Sequence, residues 1–256
     1  MLRPRIIPCL LVHDKGLVKT EHFKTPRYLG DPMNAVRIFN EKEVDELIIL
    51  DIDATVEGRG PDFKMIEHWA EECRMPLCYG GGVTTVEQAQ RIFSLGVEKI
   101  AFSAGAIKNP DIIREISEKV GSQSVVVVLD VKKKLFGGYE VYTHNGKKAT
   151  GKSPFELIKI FEQLGAGEIV INSIDKDGEM KGYDMKLIEA SRKETTLPLT
   201  AIGGAGKLED IGELISKFGI IGAAAGSLFV FKGKLKAVLI NYPNFIDKES
   251  LIKKYF

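Results

Sequence analysis

The feature that most constrains this chain is a repetition of halves. "GGGVTTVEQAQRIFSLGVEKIAFSAGAI", from Gly80, and "GGAGKLEDIGELISKFGIIGAAAGSLF", from Gly203, carry paired glycines, a helix, a glycine, a strand and an Ala-Gly pair in the same order. "LDIDATVEGRGPD" likewise parallels "NSIDKDGEMKGYD", and "IPCLLV" parallels "VVVLDV". The copies stand about 120 residues apart, too far for a solenoid period but close to half of a (β/α)₈ barrel.

The runs between these landmarks agree with that reading. "RIIPCLLV", "ELIILDI", "PLCYGGG", "KIAFSAG", "SVVVVLDV", "EIVINSI", "PLTAIGG" and "IGAAAGS" are nearly continuous apolar stretches. Such stretches mark parallel strands covered on both faces. Between them lie segments with helical apolar spacing, such as "NPDIIREISEKVG" and "SPFELIKIFEQLGAG", opened by cap-forming residues and closed by glycine. The expected fold is α/β, a single (β/α)₈ TIM barrel over 1–256 with half-barrels of about 1–120 and 121–256. A doubly wound open sheet is the rival, and it predicts no such duplication.

Composition bounds the partners. The 256 residues carry 36 basic and 35 acidic side chains, so overall charge argues for neither nucleic acid nor an anionic membrane. Any anionic ligand must be held locally. Cys9, Cys73 and Cys78 are odd in number and lack disulfide or zinc spacing, which suggests buried thiols in a reducing cytosol. The N-terminal apolar stretch is too short for a secretory signal, and no run is long enough to span a bilayer, so a soluble cytoplasmic protein is expected. No cofactor and no metal is called for.

Two irregular inserts break the β-α rhythm, at about 13–31 after the first strand and about 132–153 after the fifth. The second carries Gly137-Gly138 and Asn145-Gly146 around an alternating "YEVYTH", which predicts a hairpin. Their matching positions make them candidate lids over the barrel mouth.

Barrel chemistry sits at the C-terminal strand ends. The loops "AIGGAGK" (Gly203, Gly204) and "AAAGS" (Gly226, Ser227) suit a phosphate, because glycine lets backbone N–H groups close on oxygens. The repeat supplies a second cradle, Gly81 and Gly82 with Ser103, Ala104 and Gly105, so a substrate with phosphate at each end would fit. Tight βα turns alone would also account for these glycines. Lys19 in the first insert is a possible phosphate partner or a solvated lysine. Asp51, Asp53, Asp130, Asp175 and Asp177 each follow an apolar strand and are expected to face the mouth; Gly178 follows the last of them. Asp130, after four valines and a leucine, is the candidate acid or base, since burial would raise its pKa. At the opposite strand ends, Arg5, Glu46, Lys99 and Glu168 form either a neutral ring or ordinary surface charge.

Together "RIIPCL", "GDP", "DELIILDI", "GGGV", "NGKKATG", "GAGEIVINSIDKDGEMKGYD", "LPLTAIGGAGK" and "AAAGSLF" resemble the cyclase subunit of imidazole glycerol phosphate synthase over essentially the whole chain. The resemblance implies a barrel that binds a bis-phosphorylated aminoimidazole ribonucleotide. It also implies a glutaminase partner at the bottom, whose ammonia enters along the axis past Arg5, Glu46, Lys99 and Glu168. Glu98 and Gln123 fall where that family docks its partner.

The departures are as informative. The family uses aspartates on strands 1 and 5 as acid and base; Asp130 matches the second, while the first falls on Leu11. Ser103-Ala104 stands where the family offers Asn-Thr, and Ile202 where it usually has serine. This combination is similar to a paralogous branch associated with acetamidino modification of surface-polysaccharide sugars, in which ammonia is passed to another acceptor. Two other readings stay open: a true cyclase in which His13 or Asp53 replaces the lost aspartate, and a non-catalytic scaffold that activates the glutaminase.

Overall fold

The computed structural model describes residues 3–256. Eight parallel strands form its centre: β1 (Arg5–His13), β2 (Leu47–Asp51), β3 (Leu77–Gly80), β4 (Lys99–Phe102), β5 (Val125–Lys133), β6 (Glu168–Ser173), β7 (Leu199–Ile202) and β8 (Gly222–Ala225). Each pairs with the next, and β8 pairs in parallel with β1, Arg5 opposite Gly222, so the sheet closes on itself. This is the (β/α)₈ barrel expected from the repeat; the rival open sheet is excluded by closure.

Among the described residues eight helices of two turns or more surround it: α1 (Pro32–Glu41), α2 (Phe63–Glu72), α3 (Val86–Ser94), α4 (Asp111–Val120), α5 (Pro154–Gln163), α6 (Met185–Arg192), α7 (Leu208–Phe218) and α8 (Phe245–Tyr255). Their starts follow from the sequence. Asp31, Asp62, Ser153 and Asp184 each accept a first-turn backbone N–H, and Thr85 with Gln88 forms a capping box. Pro32 and Pro154 occupy first-turn positions that need no donor.

Strand periodicity splits the apolar residues into two cores. On β1, Ile6 and Leu10 join the layer between barrel and helices, whereas Ile7 and Cys9 point inward with Ile48, Cys78, Val126, Val128, Val170 and Ala224. Leu11 continues the inward row, which places it inside the mouth. Cys9 and Cys78 are buried; burial holds the Cys9 thiol at about 12 and Cys78 well above its ordinary value, so both are inert. Cys73 is half-buried.

Both inserts fold back antiparallel onto the strand they follow. Gly16–Glu21 pairs with β1, Leu11 opposite Val18, and Lys24–Gly30 extends it. Tyr139–Thr143 pairs with β5, Asp130 opposite Tyr142. The second hairpin matches its glycine signals. The first insert is also a hairpin, which its sequence hides: its turns place Asp14, Lys15, His22 and Phe23 at positive φ, where glycine or asparagine is the readable sign. No described helix is long and apolar enough to cross a membrane.

Candidate active site at the barrel mouth

A cavity of about 510 Å³ opens at the C-terminal strand ends, lined among others by Leu11, His13, Leu50, Ile52, Asp130 and Asn172. Leu11 and Asp130 therefore share one chamber. Burial raises Asp130 to about 7, against the hydrogen bond from Asn172 Nδ2 (2.9 Å) that favours its ionised form. A group poised there can accept or release a proton near neutrality. His13 and Asp53 are brought together: His13 Nδ1 lies 2.7 Å from Asp53 Oδ1.

The glycine loops line two smaller cavities. One of about 100 Å³ is bordered by Gly81, Gly82, Ser103, Ala104 and Gly105, and Asp130 and Asn145 line both it and the large chamber. The other, about 20 Å³, is bordered by Lys19, Asp177, Gly178, Gly203, Gly204, Gly226 and Ser227. Packing alone demands some of these glycines: a Cβ at Gly204 would sit 2.1 Å from Gly182 O, and one at Gly81 2.7 Å from Asp51 O.

Lys19 is buried rather than solvated. Its Nζ donates to Asp177 and to Thr20 O, while Asp177 Oδ2 accepts from Thr20 Oγ1 (2.9 Å) and the Phe23 N–H (3.2 Å). Thus the first insert is fastened to the loop after β6. Asp175 accepts the Lys133 N–H at 2.7 Å, the lid-capping role open to a carboxylate there. Asp51, expected to face the mouth, is held by its neighbours. It borders the smaller chamber, but Arg59 grips both its oxygens (2.7 and 3.0 Å) and the Asp53 and Ala54 N–H groups donate to it. Being one residue past inward-facing Leu50, its side chain turns toward the loop.

At the other end of the barrel, Arg5, Glu46, Lys99 and Glu168 meet in one cluster. Arg5 donates to Glu46 and, at 2.7 Å, to Glu168; Lys99 reaches each carboxylate at 2.9 Å. Thr200 Oγ1 donates to Glu168 Oε1 at 2.6 Å. Burial works against the charge on Glu168, but Arg5 and Lys99 outweigh it and hold its pKa below the ordinary value. Two cations and two carboxylates cancel. Glu98 and Gln123 are exposed near the same end, with Glu98 accepting the Leu77 N–H at 2.8 Å.

Among the described residues one group could hold a cation: Asp14, Asp53 and Glu57, whose ligand atoms lie within 4.8 Å of one another. Asp53 is already engaged by His13 and the Asp14 N–H, and the other two are exposed.

Residues 5–236 match the family described as "Histidine biosynthesis protein". The chain belongs to this family. A relative from Leptospira interrogans named "Putative imidazole glycerol phosphate synthase subunit HisF" is 58% identical over 98% of this chain and 99% of its own. The Pseudomonas aeruginosa "Putative imidazole glycerol phosphate synthase subunit hisF2" is 51% identical over 95% and 97%. The Streptococcus sanguinis "Imidazole glycerol phosphate synthase subunit HisF" is 39% identical over 90% and 91%. The protein is thus a HisF-like barrel of the imidazole glycerol phosphate synthase type.

Several polar groups of this HisF-like mouth escape sequence reading. Asn172 sits in "EIVINS" as the counterpart of Leu50, and that mismatch between repeats is the signal that could have found it. Asn145, read only as a turn former, crosses the mouth to donate to Ile52 O at 2.9 Å. Thr200 and Arg59 gave no signal, since each acquires meaning only from a partner far away in the sequence or across a loop.

Proposed function

We propose that this barrel is the ammonia-receiving subunit of a glutamine-dependent amidotransferase. A glutaminase subunit would dock at the strand N-termini around Glu98 and Gln123, and ammonia would pass Arg5, Glu46, Lys99 and Glu168 into the apolar barrel interior. At the mouth a phosphorylated small molecule would lie between the two glycine cradles, with Asp130 as the remaining acid or base. The product would serve acetamidino modification of a surface-polysaccharide sugar.

The observation that carries the reading is the pairing of a closed, charge-neutral ring with a mouth that holds Asp130 but has Leu11 across the chamber. A neutral ring closing the lower end of the barrel would serve an ammonia route as its gate, opening on partner docking, and proton-relayed ring closure needs a second group that leucine cannot supply. The higher identity to the hisF2 relative than to the Streptococcus HisF supports the paralogous branch.

The test is a reconstitution with the glutaminase partner, ¹⁵N-amide glutamine and the aminoimidazole ribonucleotide. Glutamine hydrolysis stimulated by the barrel, without efficient formation of imidazole glycerol phosphate, is expected. Efficient turnover abolished by Asp130→Asn would establish the second reading, a true cyclase, which the His13–Asp53 contact favours as a replacement relay.

A further inference from the structure

Asn172 on β6 stands directly opposite Asp130 on β5 in the sheet register, and the residue is 6% exposed. Its Nδ2 donates to Asp130 Oδ1 at 2.9 Å, while its Oδ1 is buried with no hydrogen-bond partner among the described residues. Asp130 borders two mouth cavities, and no described group donates to its Oδ2. The fold does not require an amide here: the repeat counterpart of Asn172 is Leu50, which fills the equivalent inward position on β2.

We infer that Asn172 is the positioning residue for Asp130: its amide fixes one carboxyl oxygen against the wall, leaves the other facing the mouth, and serves both protonation states by inverting. An ionised carboxylate needs a donor and a protonated one needs an acceptor; a side-chain amide holds both, and half a turn about its last torsion exchanges them. Leucine offers neither. Burial keeps both forms of Asp130 populated near neutral pH, so the exchange would operate in the working range. The inference rests on the reading of Asp130 as the surviving acid or base, and it gives that residue a self-sufficient partner in place of a strand-1 carboxylate.

Other groups around Asp130 must be tracked in any titration. Asp177 after β6 and Lys19 in the first insert form an ion pair beside it, and Cys9 faces it from β1. His13 and Asp53 share the chamber, His144 shares the smaller cavity, and Tyr142 is its neighbour on Tyr139–Thr143.

The experiment uses the barrel alone, without substrate: carboxyl ¹³C signals of Asp130 and side-chain ¹⁵N signals of Asn172 are followed across pH. The Asn172 amide signals should move with the Asp130 midpoint, and because the bond to the ionised carboxylate is stronger than the bond to the neutral acid, Asn172→Leu should raise that midpoint by about one pH unit. A residue that only supports packing would lower the melting temperature and leave the midpoint in place. Amide signals that stay flat through the Asp130 titration, or an unmoved midpoint in a folded Asn172→Leu, would overturn the inference. Should that variant not fold, the wild-type amide titration still decides. Loss of ¹⁵N transfer in the reconstituted complex, by contrast, would count only against the ammonia route.

Discussion

His13 Nδ1 lies 2.7 Å from Asp53 Oδ1, so the two side chains that could stand in for a strand-1 carboxylate are bound to each other. Asp53 Oδ2 is taken by the Asp14 N–H at 2.8 Å. The bond to Asp53 raises the His13 pKa, opposed by its modest desolvation and reinforced by the charge of Asp53. A raised folded-state pKa stabilises the protein fully below the unfolded value of about 6.5 and is lost as pH rises through the folded value. Asp53→Asn should return His13 to its ordinary titration and cost under about 1 kcal/mol at pH 6, because the pair is partly solvated. The cost should shrink at pH 9. Histidine NMR titration and urea denaturation at both pH values check this; an unmoved His13 midpoint contradicts it.

Leu11 and Asp130 line the same chamber from β1 and β5. If the missing proton relay is what separates this barrel from a cyclase, Leu11→Asp should raise imidazole glycerol phosphate formation by on the order of 10²-fold in the reconstituted complex. Asp130→Asn in that background should remove the gain. Replacing a half-buried leucine by a carboxylate should also lower stability by about 1–2 kcal/mol. Steady-state kinetics and thermal melting read the two effects separately, and a folded Leu11→Asp with no gain shows that other changes in the site block cyclisation.

The ring at the strand N-termini predicts an acid sensitivity. Burial tends to raise the Glu168 pKa, but Arg5 and Lys99 more than offset it, so the folded value lies below the ordinary one. Its contribution is complete above the unfolded value of about 4.3 and is lost as pH falls through the folded value. Glu168→Leu, which leaves Arg5 and Lys99 facing Glu46 alone, should cost about 3–5 kcal/mol at pH 7. Glu168→Gln should flatten the loss of stability expected of the natural chain on acidification below pH 5. Urea midpoints across pH test both variants.

How far the sequence discloses this molecule depends on whether a residue acts within its own half or across the barrel. The repeat between Gly80 and Gly203 reveals closure because equal halves must fold alike, and apolar strand runs place Arg5, Glu46, Lys99 and Glu168 at strand starts. Asp130 stands out because a carboxylate that ends a run of four valines and a leucine is costly to bury without a task or a partner. Asn172 was legible only as a break in the repeat against Leu50. Thr200, Arg59 and the Asn145 crossing were not legible, since their partners Glu168, Asp51 and Ile52 are set by tertiary packing. The first lid hairpin was hidden because its turns use Asp14-Lys15 and His22-Phe23 at positive φ.

The tightest steric relation in the ring is between β7 and β8. Thr200 Oγ1 donates to Glu168 Oε1 at 2.6 Å, and a Cβ on Gly222 would lie 1.8 Å from that same Oγ1 and 2.8 Å from the Thr200 Cβ. Gly222 does not have a positive φ, so an alanine there costs through overlap rather than backbone strain. Thr200 cannot yield without surrendering its bond to Glu168, and the sheet register holds Gly222 between Thr200 and Arg5. Gly222→Ala should therefore destabilise the barrel by about 3 kcal/mol, at the upper end of ordinary overpacking. Thr200→Gly in the same chain should recover part of that loss by removing the obstructing side chain, although Thr200→Gly alone is destabilising. Thermal melting of the two single variants and the double variant gives the coupling directly. Additive losses would show that Gly222 is required for a reason other than the room taken by Thr200.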